Sequence, residues 1–282
     1  MEPVVARQTW RTVEPVHTVL YFAPESVELY EGLGFEPVTH GYFPVRAAPM
    51  GAVPAEVVIA TFFNFCPDLV RAAMASAWDL VTPEAAVTAR LDAFDRLFHR
   101  TLASLVEPEP LAEMAGLARR AAEEAATRPE GRPLFAGHAA LAWPDQPHLV
   151  LWHAQTLLRE FRGDGHIAAL TAGGLTACEA LVVHAATGEV PRDMLKMTRS
   201  WPEDSWTAAE DELRSRGWLD LDGELTGAGR ARRQAIEDRT DELALPAYLP
   251  LGEDGCQRLR ALARPLAKAI VASGELGLPR MG

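Results

Sequence analysis

Cysteine is scarce in this chain, and its three copies lie far apart with no CxxC pair among them. Neither a disulfide framework nor a thiolate metal site is therefore supported, and each thiol is best interpreted as a small buried apolar group. The chain also lacks an apolar run of about 18 residues and a basic-then-apolar signal at its N-terminus. These absences predict a cytoplasmic protein without a membrane partner.

Sequence motifs of cofactor and metal sites are missing as well. The eight histidines form no HxH, HxxxH or HExxH pair, which predicts that the protein binds no metal. There is no GxGxxG or GxxxxGK(S/T) loop for a nucleotide or nicotinamide, and no GxSxG nucleophile elbow. We therefore expect no cofactor, and any chemistry would be acid–base chemistry by side chains.

Acidic residues outnumber basic ones, with 39 Asp and Glu against 27 Lys and Arg and a net charge of −12. The surface as a whole therefore repels polyanions, whereas nucleic-acid-binding proteins usually carry a basic face. With 282 residues, of which 48% are hydrophobic, the chain is long enough for two domains with cores of their own. The composition is that of an ordinary globular protein.

Proline residues mark the starts and ends of several predicted helices. The apolar run that begins at Glu56 could be a strand or a buried helix by its periodicity. We favour a helix because Pro54 precedes the run and Pro67 closes it. Thr82-Pro83-Glu84 is a typical helix start. Other predicted helices span residues 25–33, 111–127 and 253–273.

A weak internal similarity indicates that the chain contains two related halves. The segment GYFPVRAAPMGAVPAEVVIATFFN resembles GHIAALTAGGLTACEALVVHAAT with one small gap, and Trp78 then aligns with Trp201. Chance alignment of two alanine-rich helical stretches is the alternative. A loose segment rich in proline and glycine lies between them, so we predict domains over 1–127 and 149–282 with a linker or crossover over 128–148.

The segment SWPEDSWTAAEDELRSRGWLDLDGELTGAGRARRQAIEDRTDEL has the order helix, short hairpin, long helix. Gly217 suits a helix end, Asp222-Gly223 suits a hairpin turn and Thr226 suits a helix cap. This last third of the chain is similar to winged-helix domains of the MarR-regulator type. The expected fold is therefore mainly α, with two related winged-helix-like halves, small β-wings and a C-terminal helix.

A second resemblance covers nearly the whole chain. It is carried by YFAPE, GYFPVRAAPMG, FFNFCP, LREFRGDGHIAAL and LGEDGCQRL. These segments resemble a family of high-GC bacterial proteins known as SalK-like helix-turn-helix proteins. The resemblance implies a helix-turn-helix fold, and a fold does not by itself transfer a function.

The helix that would enter the major groove in a winged-helix regulator is acidic in this chain. It is predicted over 202–216, where five carboxylates face only Arg214 and Arg216. The predicted wing is acidic too, whereas DNA-binding proteins gain affinity by neutralising phosphates. The basic cluster over 230–233 lies on the next helix and is interpreted as a solvated face. The sequence therefore predicts that DNA is not a partner of this surface.

The most conspicuous polar cluster is Arg162-Gly163-Asp164-Gly165-His166, in an otherwise apolar region. We interpret its glycines as a tight turn that ends one helix before a second begins. Asp164 would orient His166 or raise its pKa, which makes the two residues a candidate acid/base pair. In the alternative, Asp164 caps the following helix, the glycines only stop a helix and Arg162 pairs internally.

Further candidates surround this predicted turn. His153 is expected to face the same cavity, and Arg159 with Arg162 would grip a carboxylate, phosphate or sulfate from one helical face. The internal similarity pairs Tyr42 with His166, so a ligand site between the halves is expected. The candidate catalytic residues are His166, Asp164, His153 and Tyr42, and the candidate substrate-binding residues are Arg159, Arg162, Arg46, Asn64 and Glu25.

These patterns favour a protein that binds a small anionic or polar molecule on a repurposed winged-helix scaffold. We expect an enzyme of specialised metabolism that performs elimination, cyclisation or displacement by metal-free acid–base chemistry. The alternatives are a ligand-responsive MarR-like transcription regulator and a non-catalytic partner subunit. A homodimer and a heteromeric assembly are both compatible with the sequence.

Overall fold

The computed structural model describes residues 1–276, and helices make up most of this part of the chain. A π-helical turn over Phe98–Leu102 follows α7, and short 3-10 turns join several other helices. The prediction of a mainly α fold is confirmed. The α-helices are α1 Pro3–Thr18, α2 Pro24–Gly32, α3 Tyr42–Ala47, α4 Ala55–Phe62, α5 Pro67–Met74, α6 Ala77–Leu80, α7 Pro83–Leu97, α8 Pro108–Ala125, α9 Pro133–Ala139, α10 Pro147–Ala172, α11 Ala177–Ala185, α12 Arg192–Arg199, α13 Glu203–Ser215, α14 Gly227–Ala244 and α15 Gly252–Ser273.

Local chemistry explains where many of these helices begin. Proline occupies the first helical position of α2, α5 and α7, where its missing N–H costs nothing. The side chain of Thr82 caps α7 by accepting a hydrogen bond from the Ala85 N–H at 3.2 Å. The apolar run from Glu56 is helical, as predicted, and α4 ends at Phe62.

The buried apolar residues of the described chain form two separate cores. The larger core joins α1, α7, α8 and the first half of α10 to α15, which returns to pack on α1. Buried alanines along α8 let that helix approach α10 closely. The smaller core lies between the end of α10 and α11–α14. The predicted linker over 128–148 does not follow this division, because Phe135 of α9 is fully buried in the larger core.

The predicted β-wing is reduced to a single antiparallel bridge between Leu219 and Leu225. The carboxylate of Asp220 accepts hydrogen bonds from the N–H groups of Asp222 and Glu224, at 3.0 and 2.9 Å. The side chain of Asp220 therefore closes this turn together with two backbone hydrogen bonds across the hairpin, from the Asp220 N–H to the Glu224 carbonyl at 2.9 Å and from the Thr226 N–H to the Trp218 carbonyl at 3.0 Å. Residues 1–276 contain no regular strand.

The predicted turn at Arg162–His166 is wrong, because α10 continues through it without a break. Glycine inside a helix costs about 1 kcal/mol relative to alanine, so close packing has to offset this cost. A Cβ on Gly165 would lie 3.0 Å from Arg132 Nη1 and 3.3 Å from Leu243 Cβ. The absence of a side chain lets Arg132 reach the Phe161 carbonyl at 3.2 Å. These contacts dock α14 and the start of α9 on α10.

The predicted pairing of Tyr42 with His166 as equivalent turns has no counterpart in the fold. Tyr42 begins the six-residue helix α3, whereas His166 lies far inside α10. The matched segments downstream do both contain a helix, α4 and α11. Helical periodicity in two alanine-rich segments is enough to produce that similarity.

Among the described helices, none has alone the length and apolar composition of a membrane span. Two sharply bent pairs meet those two criteria together, and they are 38–50 with α4 and α10 with α11.

Candidate functional site

A cleft of about 900 Å³ lies between the two cores. Its walls come from α1, the α3–α5 region, α10, α11, α12 and α14. Of the residues predicted to form the site, it brings together Tyr42, Arg46, Asn64, Arg159, Arg162, Asp164 and His166. His153 and Glu25 lie elsewhere.

Helix α10 places Arg159, Arg162 and His166 along the cleft, because positions three and four apart share one helical face. The predicted anion clamp is already occupied by protein carboxylates. Arg159 Nε lies 3.1 Å from Glu14 Oε1, and Arg162 Nη1 lies 2.7 Å from Asp241 Oδ1. Both guanidinium groups therefore join α10 to α1 and α14 rather than standing free for a ligand.

A buried ion-pair network stands behind the wall of the cleft, centred on Glu160. Its Oε1 accepts hydrogen bonds from Arg46 Nη2 and Arg159 Nη1, each at 2.9 Å. Burial would raise the pKa of Glu160, but the two guanidinium groups lower it to about 2. Arg46 also donates to the Tyr42 hydroxyl at 2.6 Å, so Tyr42 keeps its own proton for another acceptor.

The predicted pair of His166 with Asp164 is wrong, because the two side chains bind different partners. His166 Nδ1 lies 2.9 Å from Thr240 Oγ1, and the Thr240 hydroxyl donates to the Ile236 carbonyl at 2.7 Å. Since that hydroxyl has one proton, it can only accept from His166, which places the imidazole proton on Nδ1. Within the described chain Nε2 has no hydrogen-bond partner. Burial lowers the pKa of His166 to about 4, so the ring is neutral at pH 7.

Asp164 is attached to the start of α9 instead. Its Oδ2 accepts a hydrogen bond from the Phe135 N–H at 3.0 Å, and the side chain is almost completely buried. Burial raises the pKa of Asp164 to about 7, although the Phe135 N–H and Arg132 act in the opposite direction. The alternative that Asp164 caps a helix is therefore closer to the structure, although the helix it caps is α9 rather than the one after His166.

Arg199, at the end of α12, is a cleft residue that sequence reasoning missed. Its guanidinium lies over Phe65, with Cζ 4.5 Å from the ring centroid, and Nη1 donates to the Thr198 hydroxyl at 2.9 Å. No carboxylate of residues 1–276 pairs with it, and its Nε is buried without a partner. Burial lowers the pKa of Arg199. Nothing in the local sequence distinguishes this arginine from a solvated one.

The segment after α4 forms an aromatic wall of the cleft and joins the two cores. Phe63 has φ 56° and ψ −66°, and the Asn64 N–H bonds the Phe62 carbonyl at 2.7 Å. This is a γ-turn of the strained kind, which is rare for a residue other than glycine. Phe63 packs on the smaller core, and Trp201 Nε1 donates to the Asn64 carbonyl at 3.0 Å. The packing between cores therefore holds the strained turn in place.

Asn64 itself is half-buried, and its side-chain amide makes no hydrogen bond to residues 1–276. The residue lines the cleft because the γ-turn before it directs the chain across the gap between the cores.

His153 lies on a separate cavity of about 190 Å³, together with Arg90, His138 and Trp152. Burial lowers the pKa of His153 to about 4, and its Nε2 has no partner. It is one turn and a half from Arg159 along α10 but faces away from the cleft. The prediction that His153 shares a cavity with His166 is therefore wrong.

Glu25 is bound to Arg100 through both carboxylate oxygens and lies outside the cleft. It occupies the first turn of α2, where a carboxylate is favoured by the helix dipole. The structure therefore does not bring Glu25 together with the other predicted substrate-binding residues, and its contacts are those of a first-turn helix residue paired with Arg100.

One cluster of possible metal ligands occurs among residues 1–276, and it consists of Asp95, His99 and His148. It lies outside the cleft and involves no residue of the predicted site. The three cysteines are buried and unpaired.

The surface of α13 is acidic, and the two arginines at its C-terminal end form ion pairs with nearby carboxylates. Arg214 lies 2.8 Å from Asp211, and Arg216 Nη2 lies 2.9 Å from Glu179. Leu221, at the tip of the hairpin, is 92% exposed. This face therefore presents carboxylates and an apolar tip where a DNA-binding wing would present free cations.

Comparisons with known proteins place these features in a family. No match was found among curated proteins, and none among solved structures. The model of a helix-turn-helix family matches residues 6–277, which is nearly the whole chain. Its extent agrees with a fold in which α1 and α15 complete one core and α11–α14 form the other. The chain belongs to this helix-turn-helix family.

Proposed function

We propose that this protein binds a small anionic molecule with an apolar body in the cleft between its cores. The observation that carries the proposal is Arg199, a half-buried cation with no carboxylate partner in the described chain. Arg11 and Arg230 also line the cleft without a carboxylate, but they are exposed and therefore solvated by water. A ligand carboxylate or phosphate would offer Arg199 the paired hydrogen bonds that no carboxylate of the described chain supplies.

The remainder of the cleft suits the apolar part of such a ligand. Phe62, Phe63 and Phe65 line one side, and Trp10 lines another. Aromatic walls with a few convergent polar groups are the usual composition of small-molecule sites. The free amide of Asn64 adds one group that can both donate and accept a hydrogen bond.

The same cleft carries the groups needed for acid–base chemistry. His166 is neutral, and its Nε2 lone pair has no partner in the described chain, so it can accept a proton from a bound ligand. The imidazolium that forms would be stabilised by the negative charge of Glu237, which favours the protonated form of His166. Tyr42 can donate its proton to the oxygen on which negative charge develops. Elimination or cyclisation begins with such a proton removal.

We propose a reaction of this type within specialised metabolism, in the cytoplasm, on a SalK-like scaffold with a repurposed MarR-type winged helix. Thr240 would act as a positioning residue that fixes the tautomer of His166. Asp164, Arg159 and Arg162 would support the walls of the cleft, since each is already bound to protein groups.

The second candidate is a ligand-responsive transcription regulator, and membership of a helix-turn-helix family favours it. In that case the same cleft would bind the effector, and DNA would be contacted by a surface other than the acidic face of α13. The ion pairs of Arg214 and Arg216 with nearby carboxylates argue against a role of that face in phosphate binding.

Ligand binding is tested with benzoate, phenylacetate and phenyl phosphate, each compared with a neutral analogue such as benzamide, by calorimetry and thermal shift. We expect binding of the anions only. Arg199→Gln should weaken it roughly 10- to 100-fold, because a charge-assisted hydrogen bond contributes about 1.5–3 kcal/mol. Arg239→Gln, which removes an exposed arginine paired with Glu242, is the matched control and should not change the affinity.

Equal affinity of the wild-type protein for the acid and its amide would contradict the proposal, as would unchanged affinity in Arg199→Gln. The regulator is tested in parallel by fluorescence anisotropy with duplex DNA from around the gene over a range of salt concentrations. Sequence-specific binding that responds to a cleft ligand would favour the regulator over the enzyme.

A further inference from the structure

The side chains of Asp95, His99 and His148 meet outside the cleft. Asp95 and His99 lie four residues apart, at the end of α7 and in the π-helical turn that follows it. His148 comes from the first turn of α10. One ligand atom of each residue lies within 4.8 Å of the other two.

The separations of these atoms are close to those of a metal site and need small side-chain rotations to reach them. His148 Nε2 lies 2.6 Å from Asp95 Oδ1, and His99 Nε2 lies 3.5 Å from the same oxygen. Zinc binds nitrogen and oxygen ligands at about 2.0–2.2 Å, so tetrahedral ligand atoms stand about 3.3 Å apart. The observed separations lie on both sides of that value. Small rotations of the two exposed side chains, Asp95 and His99, would equalise them.

We propose that Asp95, His99 and His148 bind a divalent transition-metal ion of the zinc class. Two imidazoles and one carboxylate form a ligand set that suits ions of this class. Magnesium and calcium instead prefer oxygen ligands. Three protein ligands leave a fourth position, which faces solvent because His99 and Asp95 are 64% and 41% exposed. Water would complete the coordination.

His148 is the preorganised ligand of the three. Its ring is buried and stacks on Phe98, with centroids 4.3 Å apart and planes 15° apart. The ring of His99 packs edge-on against it at 5.2 Å. A metal bound here would replace the direct contact between His148 Nε2 and Asp95 Oδ1.

A metal at this position would clamp the end of α7 to the start of α10. Helix α10 has 26 residues in all, and its part from Arg159 onward lines the cleft. The two helices otherwise meet mainly through apolar contacts such as Phe94 with Trp152, whose rings stack at 4.7 Å. None of the three metal-binding residues lines the cleft, so the metal proposal could be wrong without affecting the proposed function.

The experiment uses the full chain, freed of metal by a chelator and titrated with Co²⁺ and Zn²⁺. We expect intense visible ligand-field bands of four-coordinate Co²⁺, their loss on competition with Zn²⁺, and a rise in Tm of roughly 5 °C at a hundredfold excess over Kd. His99→Gln should lower the affinity for either ion at least tenfold. This residue is exposed, so its variant is expected to fold even if His148→Gln does not.

His40→Gln, a change at a half-buried histidine far from the cluster in sequence, serves as the control and should bind both ions like the wild-type protein. A spectrum of hydrated six-coordinate Co²⁺ in the wild-type protein would overturn the proposal. Equal affinity of His99→Gln and wild type would do so too, since Asp95 and His148 would then be only an ion pair.

Discussion

The substitution Asp164→Asn is expected to stabilise the protein at pH 8 and to have little stabilising effect at pH 4. Burial raises the pKa of Asp164 to about 7 in the folded protein, from an ordinary value of 3.8. Between these two values the folded chain holds a proton that the unfolded chain releases. The free energy of unfolding therefore falls as the pH rises through this window, and the loss is complete above pH 7.

The size of this effect follows from the difference of about three pKa units at about 1.4 kcal/mol each, which amounts to about 4 kcal/mol at pH 8. An asparagine can still accept the hydrogen bond of the Phe135 N–H through its carbonyl oxygen, and it buries no charge. In a chain of this size 1 kcal/mol corresponds to roughly 2 °C, so the Tm difference between variant and wild type should grow by several degrees from pH 4 to pH 8.

Differential scanning calorimetry of both proteins at four pH values measures this difference. Asp222→Asn, at the exposed tip of the hairpin, is the control, and its Tm should follow that of the wild type at each pH. Buried histidines such as His166 and His153 destabilise all three proteins below pH 6.5, because their lowered pKa values disfavour the protonated form. A Tm difference for Asp164→Asn that stays constant from pH 4 to pH 8 would refute the reasoning.

Two other predictions concern α10. Gly163→Ala should stabilise the protein by up to about 1 kcal/mol, because the nearest atom to its new Cβ is 3.5 Å away. Gly165→Ala should instead cost about 1–3 kcal/mol, because its new Cβ would press on Arg132. Urea denaturation that shows both variants stabilised would contradict this account of the packing. Glu160→Gln should cost about 3–5 kcal/mol at pH 7, since it leaves the buried guanidinium group of Arg46 without a carboxylate and Arg159 with Glu14 as its remaining carboxylate. The pKa of Glu160 is about 2, below its ordinary value, so the stability that its charge contributes is present above pH 4.5 and is lost as the pH falls towards 2. If Glu160→Gln reduced the free energy of unfolding as much at pH 3 as at pH 7, the result would be inconsistent with this charge.

The starts and ends of the helices were largely predictable, because they depend on neighbours in sequence. Thr82 caps a helix, as expected from its type alone, whereas Pro67, expected to close the run from Glu56, begins α5 after α4 has ended at Phe62. The turn at Asp222-Gly223 closes the short hairpin, and Gly217 ends α13 with a positive φ of 69°. Each of these features requires only a few residues of the chain.

The predictions that were wrong each needed knowledge of a distant contact. Glycine usually stops a helix, and Gly165 does not, because Arg132 and α14 use the space that it leaves. Asp164 is two residues from His166, but residues two apart point to different sides of a helix. The two side chains therefore reach α9 and α14, respectively.

The sequence predicted only some of the residues that line the cleft. Tyr42, Arg46 and Asn64 were expected to lie near His166, and all four line the cleft, although the reasoning relied on paired turns that the fold does not contain. Arg199 was not expected, since an arginine becomes noticeable only when a structure shows that no carboxylate faces it. The cluster of Asp95, His99 and His148 was missed for a similar reason, because His148 is far away in sequence.

The sequence by itself determined the helical class, the positions of several helix ends and the acidic character of α13, because these follow from residue type and spacing along one helix. Only the tertiary structure decided which carboxylate each arginine binds, that α15 completes the first core, and that the polar segment at Arg162–His166 continues α10. The physical reason is that hydrogen bonds and ion pairs between distant helices outweigh the local preference of a glycine, which amounts to about 1 kcal/mol.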